Sequence, residues 1–260
     1  MKFALCIGIN DYPGTGSDLS GCVNDANDWA AELAKRDFDV RMLLDADATG
    51  DAMRAGIRER LEGAGSGDTV VITYSGHGTW VPDRDGDEPD RRDEALCPYD
   101  ISSRGPLLDD ELYELFIDRR RGVRVVLVSD SCHSGSVARY APPTGSSSRR
   151  IRFLAPGVFL SERDEAIARR IPRVYRGRPR HAALLMSGCQ DIEYSYDAVF
   201  DGRANGAFTY VALAALRQMP ADATYRQWMD AIRTALPSQD YPQQPGLQGT
   251  STQRRWSLLA

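Results

Sequence analysis

Six short apolar runs, several of them rich in β-branched residues, separated by segments of helical periodicity, constrain this chain more than any other feature. The runs are Phe3 to Ile9, Phe38 to Leu44, Thr69 to Tyr74, Val123 to Ser129, Ala182 to Ser187 and Arg255 to Leu259. Between them, apolar residues recur at three- and four-residue spacing in Val23 to Lys35, Asp51 to Leu61, Asp109 to Arg119, Gly206 to Gln218 and Tyr225 to Leu236. Strands alternating with helices make βαβ units, whose crossover helices cover both faces of a mostly parallel sheet. The expected fold class is therefore α/β, an α/β/α sandwich with a mostly parallel central sheet.

At 260 residues, a compact fold buries roughly 75% of the surface its unfolded chain exposes, so neither disulfides nor a structural metal is needed to form a core. A net charge of −5, from 32 basic and 37 acidic residues mixed along the chain, lacks the basic face of a nucleic-acid or anionic-membrane binder. No apolar stretch approaches the ~20 residues of a bilayer span. The apolar start ends at Asn10-Asp11 with no small-residue cleavage site after it, so it reads as a buried first strand rather than a signal peptide. Five irregularly spaced cysteines make no disulfide framework. A reducing, cytoplasmic setting is expected.

Two stretches break the rhythm. Pro82 to Asp93 is crowded with acids, a glycine and prolines, and reads as an exposed loop. Ala138 to Arg180 opens on Pro142-Pro143-Thr144-Gly145-Ser146-Ser147-Ser148, is dense in arginine, and has the composition of a flexible connector in which Phe153 to Leu160 could dock. The chain then divides into a larger part, 1–137, the connector, 138–180, and a smaller part, 181–260, that completes the same sheet.

Two strands run into small-residue turns carrying reactive side chains: Thr69 to Tyr74 into Ser75-Gly76-His77-Gly78, and Val123 to Val128 into Ser129-Asp130-Ser131-Cys132-His133-Ser134-Gly135. Open parallel sheets bind ligands beyond the carboxyl ends of their strands, so both His77 and Cys132 belong on the catalytic edge. A histidine beside a cysteine favours thiolate and later protonates a leaving amine. Either residue alone would be a packing cysteine or a turn histidine; together, in glycine-flanked turns, they indicate catalysis. His133 competes for the role of base, but it adjoins Cys132 in sequence and tends to point away, so it is read as a residue shaping the loop.

These turns, with Leu19-Ser20-Gly21-Cys22-Val23-Asn24-Asp25-Ala26, resemble the signatures of metacaspases, the caspase-like cysteine peptidases, and of a bacterial member in particular. The resemblance extends through Asp93-Glu94-Ala95-Leu96-Cys97-Pro98-Tyr99-Asp100, Leu107-Leu108-Asp109-Asp110-Glu111-Leu112, Ser187-Gly188-Cys189-Gln190-Asp191 and Gly206-Ala207-Phe208-Thr209-Tyr210. It implies a caspase-like sandwich and a His77–Cys132 dyad that cleaves peptide bonds through a thioester, with the N–H groups of Gly78 and Cys132 holding the oxyanion. It also implies protein or peptide substrates with arginine or lysine before the cleaved bond, held by Asp25, Ser75 and Asp130. Two carboxylates and a hydroxyl suit a buried guanidinium.

Outside the resemblance, Asp25 would read as a helix first-turn acid and Asp130 as a turn former. Cys6, Cys22, Cys97 and Cys189 read as packing residues. The family's calcium site maps onto Asp93, Asp109 and Asp110, whose ordinary roles would be loop solvation and favouring a helix start. Its fourth acid is replaced by Arg139, with Asp90, Glu94 or Glu111 as substitutes. Arg149, Arg150, Arg169, Arg170, Arg176, Arg178 and Arg180 are candidate sites of self-cleavage. The expected protein is a monomer with no nucleic-acid or membrane partner. The competing readings are an inactive caspase-like adaptor and a cysteine hydrolase of small cationic amides.

Overall fold

The computed structural model describes residues 1–82, 92–132, 149–160, 182–190 and 193–260. A six-stranded sheet forms its centre, in the order β12-β9-β7-β3-β1-β2. Its strands are β1 (Lys2–Gly8), β2 (Asp39–Leu44), β3 (Thr69–Ser75), β7 (Arg124–Asp130), β9 (Leu184–Ser187) and β12 (Gly246–Gln248). All pair in parallel except β12, which runs antiparallel to β9. Five of the six predicted strands are thus present. The sixth is not: Arg255 to Leu259 forms no strand, and its first residue ends a 3-10 turn, Gln253–Arg255. The edge position falls instead to β12, whose three residues give too short a pattern to read from sequence.

The period-two alternation of a strand explains the two cores. Phe3, Leu5 and Ile7 of β1 join Val70, Ile72, Val125 and Leu127 on one face, packed against Met53, Ile57 and Leu61 of α2 (Gly50–Gly63) and Leu112 and Phe116 of α4 (Asp109–Ile117). Ala4 and Cys6, with Val71, Val126 and Val128, face the other way. There they meet Trp29 and Leu33 of α1 (Cys22–Ala34), Phe208 and Leu213 of α5 (Ala207–Leu216), and Trp228 and Ile232 of α6 (Tyr225–Ile232). Trp29 and Trp228 meet edge to face at 5.9 Å, an arrangement that contributes about 0.5–1.5 kcal/mol beyond area burial. The result is the expected α/β/α sandwich.

Two smaller antiparallel sheets stand at the carboxyl edge. One consists of β4 (Gly78–Pro82), β5 (Arg92–Leu96) and β6 (Leu107–Leu108), with the short helix α3 (Ile101–Arg104) between the last two. The other is ordered β11-β10-β8, from β8 (Arg150–Ile151), β10 (Tyr196–Phe200) and β11 (Arg203–Gly206). Residues 149–160 of the arginine-rich stretch are therefore packed against the body, and both Arg152 and Leu154 are buried.

Candidate active site

The registers of β1, β3 and β7 bring Gly8, Ser75 and Asp130 level at the sheet edge. The turns that follow β3 and β7 consequently leave the sheet side by side, which brings His77 and Cys132 to the same edge. Gly78 opens β4, and its backbone passes so near Cys132 that a Cβ at position 78 would run into the Cys132 carbonyl. Only glycine permits that approach.

His77 is fixed by four partners, one of them the Cys97 N–H, which donates to its carbonyl at 3.0 Å. Its backbone N–H donates to the Tyr12 hydroxyl at 2.8 Å, its carbonyl accepts from the Tyr74 hydroxyl at 2.6 Å, and its ring Nε2 lies 2.6 Å from the Ser17 carbonyl. A carbonyl only accepts, so the proton is assigned to Nε2 and Nδ1 keeps a lone pair. Nδ1 is buried with no hydrogen-bond partner, leaving it free to take a proton. Burial pushes the imidazole down to about 4, against the pull of the Ser17 carbonyl. The ring is neutral near pH 7.

Cys132 is buried, and its Sγ donates to the Ser195 carbonyl at 3.3 Å while accepting the Ser195 N–H. Its backbone N–H and that of Gly78 converge on one oxygen, the Arg152 carbonyl, at 3.1 and 3.0 Å. Cys189, read from sequence as packing, stands against the Cys132 thiol. That interaction is the largest cause raising its own pKa, with burial second. Burial pushes Cys6 up to about 12, and raises Cys22 and Cys97 well above the ordinary thiol value. Those three are inert packing groups.

The Arg152 side chain lies fully buried among three carboxylates. Its guanidinium reaches Asp25 at 2.7 Å, Asp197 at 2.9 Å and Asp130 at 3.1 Å. Each carboxylate has further donors. Asp25 accepts the Gly206 N–H at 3.0 Å and the Asn205 amide at 2.9 Å; Asp130 accepts the Thr209 N–H and hydroxyl at 2.9 and 2.8 Å; Asp197 accepts the N–H groups of Ser20 and Gly21, both at 2.9 Å. Gly206 is confined as Gly78 is, since a Cβ there would strike Asp130 and the guanidinium. Burial raises Asp25 to about 6, opposed by the Arg152 charge and reinforced by Asp130. Burial alone would lower Arg152, but Asp130 and the other acidic neighbours more than offset it and raise it well above its ordinary value.

Asp25 and Asp130 thus meet as the sequence suggested. Ser75 is buried at the end of β3, level with Asp130. Asp197 and Arg152 were missed. The first lies in a short strand, Tyr196–Phe200, without a clear alternation of burial, and the second in a stretch whose composition reads as a linker. Asn205 and Gly206, immediately before the Ala207-Phe208-Thr209 motif, were the available signal.

The acids expected to hold calcium lie elsewhere along the edge. Asp93 is buried on β5, while Asp109 and Asp110 occupy the first turn of α4, as helix-favouring acids would. Glu111 is held by Arg54 at 2.9–3.2 Å and accepts the Leu108 N–H. Among the described residues no group of three His, Cys, Asp or Glu side chains converges to hold a metal ion. Asp90, His133 and Arg139 lie outside those residues, as do Arg169, Arg170, Arg176, Arg178 and Arg180.

The Cys132 turn and the His77 turn thus leave the carboxyl edge of the parallel sheet side by side. The caspase domain family matches residues 1–256, and the chain belongs to it. It is 32% identical to Metacaspase-1 of Cryptococcus neoformans over 286 aligned residues, covering 95% of this chain and 62% of that protein. It is 30% identical to Metacaspase-3 of Arabidopsis thaliana, covering 90% and 65%. The chain spans a little under two thirds of the length of these curated relatives. The crystal structure of protein GSU0716 from Geobacter sulfurreducens superposes with a TM-score of 0.75 at 34% identity, covering 99% of this chain and 97% of that one.

Proposed function

We propose that the protein is a cysteine endopeptidase that cuts after arginine, or lysine, through Cys132 and His77. Arg152 carries this reading. Its guanidinium fills a buried acidic pocket while its own carbonyl accepts the N–H groups of Gly78 and Cys132, the arrangement expected of a substrate residue before a scissile bond. In the proposed reaction Nδ1 of His77 takes the Cys132 thiol proton, and sulfur attacks the carbonyl. The oxyanion is held by the two N–H groups, and His77 returns the proton to the leaving amine. Water then hydrolyses the thioester. Backbone pairing favours a peptide over a small amide: the Arg152 N–H donates to Ser195 at 3.0 Å, and the Leu154 N–H donates to Gly78 at 2.9 Å. The presence of both catalytic side chains disfavours an adaptor.

Self-cleavage is proposed at the Arg152–Phe153 bond, a position outside the arginines expected from composition. Incubating the wild type beside Cys132→Ala and sequencing new termini tests it. A fragment beginning at Phe153 only in the wild type is expected; fragments in both samples would indicate a contaminant. Cleavage of fluorogenic peptides ending in arginine but not aspartate tests the specificity, and a preference for aspartate would overturn it.

Calcium stimulation rests on the sequence resemblance alone, with Asp93, Asp109 and Asp110 as its acids. A cytoplasmic monomer is proposed likewise. β12 is a three-residue edge, which offers few unpaired groups to a second copy. No helix among the described residues is long and apolar enough to cross a membrane.

A further inference from the structure

We infer that the cleft has a second basic subsite, formed by Asp240 and Tyr241, that selects arginine three residues before the residue at the cleaved bond. This rests on the proposed register, with Arg152 at that bond. In that register the preceding residues are Ile151, Arg150 and Arg149. They are in an extended conformation beside β10, with Ile151 opposite Tyr196 and Arg150 opposite Asp197. Side chains of an extended segment alternate in direction. Arg152 enters the acidic pocket, and Arg150 on the same side reaches the Asp18 carbonyl. Arg149 takes the other side with Ile151.

There the Arg149 guanidinium donates to the Asp240 carbonyl at 2.9 Å and to its carboxylate at 2.6 Å, and stands over the Tyr241 ring at 5.2 Å. One planar cation is met by a carbonyl, a carboxylate and an aromatic face, a combination that lysine or a neutral side chain satisfies less well. The receiving loop is held in place. Tyr241 packs against Phe200 at 5.3 Å and Tyr196 at 6.1 Å, its N–H donates to the Ser238 hydroxyl at 3.0 Å, and Gln243 donates to the Gly188 carbonyl at 2.7 Å. The loop is thereby tied to the end of β9 and, through the Gln243 amide at 3.3 Å, to the Ser195 hydroxyl beside Cys132.

The test compares two fluorogenic tetrapeptides, Arg-Arg-Ile-Arg and Ala-Arg-Ile-Arg, on the full chain carrying Arg149→Ala and Arg152→Ala to free both positions. The arginine peptide should have the higher kcat/KM by roughly three- to tenfold, the scale of an exposed ion pair with a cation–π contact. Asp240→Asn combined with Tyr241→Leu should abolish the difference between the two peptides. Equal rates on the two peptides would overturn the subsite but not the specificity at the cleaved bond. Amide exchange in the full chain carrying Cys132→Ala requires no activity. The Arg152 and Leu154 amides should exchange about threefold faster or more after Arg149→Ala or Asp240→Asn, but not after Asp230→Asn at an exposed control site. Unchanged exchange would overturn the subsite even if neither peptide were cut, an outcome that would separately defeat the proposed peptidase.

Discussion

Replacing Arg152 by alanine tests both the pocket and the role of the segment that fills it. The substitution leaves Asp25, Asp130 and Asp197 buried without their shared cation. Removing one partner of a buried ion pair costs about 3–5 kcal/mol. The loss should depend on pH, because the carboxyl of Asp25 is already raised to about 6, compared with about 3.9 for an unfolded aspartate. Between those values the folded state binds more protons than the unfolded state, so stability falls as pH rises through this window. Deleting Arg152 removes the main influence lowering Asp25 and extends the window upward.

His77 reinforces the effect. Its pKa of about 4 reflects burial first, with the Arg152 charge also lowering it. Its protonation is costly in the fold, so the wild type loses stability as pH falls from about 6.5 toward 4. Without Arg152 that penalty shrinks. Both groups therefore predict a destabilisation that is large at pH 8 and smaller, by one to a few kcal/mol, at pH 5. Urea unfolding of wild type and Arg152→Ala at both pH values, in a Cys132→Ala background to prevent cleavage, measures it. An equal gap at both pH values would refute the electrostatic account, and no gap at pH 8 would refute burial of the ion cluster itself.

Gly78→Ala should lower kcat by roughly 100- to 1000-fold with little change in far-UV circular dichroism, because displacing the Cys132 backbone spoils the paired N–H donors; near-normal turnover would remove Gly78 from the oxyanion site. Asp197→Asn should reduce kcat/KM on arginine peptides about 30-fold, the loss of one partner of a buried charge pair; an unchanged value would leave Asp197 as only a cap for the Ser20 and Gly21 amides. Activity should rise from chelator to millimolar calcium, and the rise should shrink after Asp93→Ala and Asp109→Ala. Equal rates would dispose of the metal.

The central sheet was legible because its inner strands, such as β1, β3 and β7, are buried on both faces, and continuous β-branched runs such as Val70-Val71-Ile72 admit few other readings. The small sheets were not. β4, β5, β10 and β11 are short, mixed in polarity and partly exposed, so their pairing is set by where the large sheet carries them rather than by their own pattern. Arg255 to Leu259 shows the converse error, since its apolar residues serve to close the core. Leu259 is buried with the α6 cluster, and Leu258 donates its N–H to Ala223. A short apolar run reports burial but does not by itself report strand geometry.

At the site, the same limitation separates the His77 and Cys132 pair from its surroundings. Each sits in a turn whose local residues suggest the proposed chemistry. The acidic pocket is assembled from Asp25 on a helix, Asp130 at a strand end and Asp197 in a second sheet, so no window of sequence contains it. Its charge also explains why a linker-like segment is held there. Three clustered carboxylates repel one another unless a cation or protons join them; the strong raising of Arg152 by its acidic neighbours shows the cation in that role, while Asp25, raised to about 6 chiefly by burial, takes a proton only below that pH. An arginine in a stretch of linker-like composition can therefore be among the most buried residues of the molecule, provided the rest of the fold has already gathered the opposite charge to receive it.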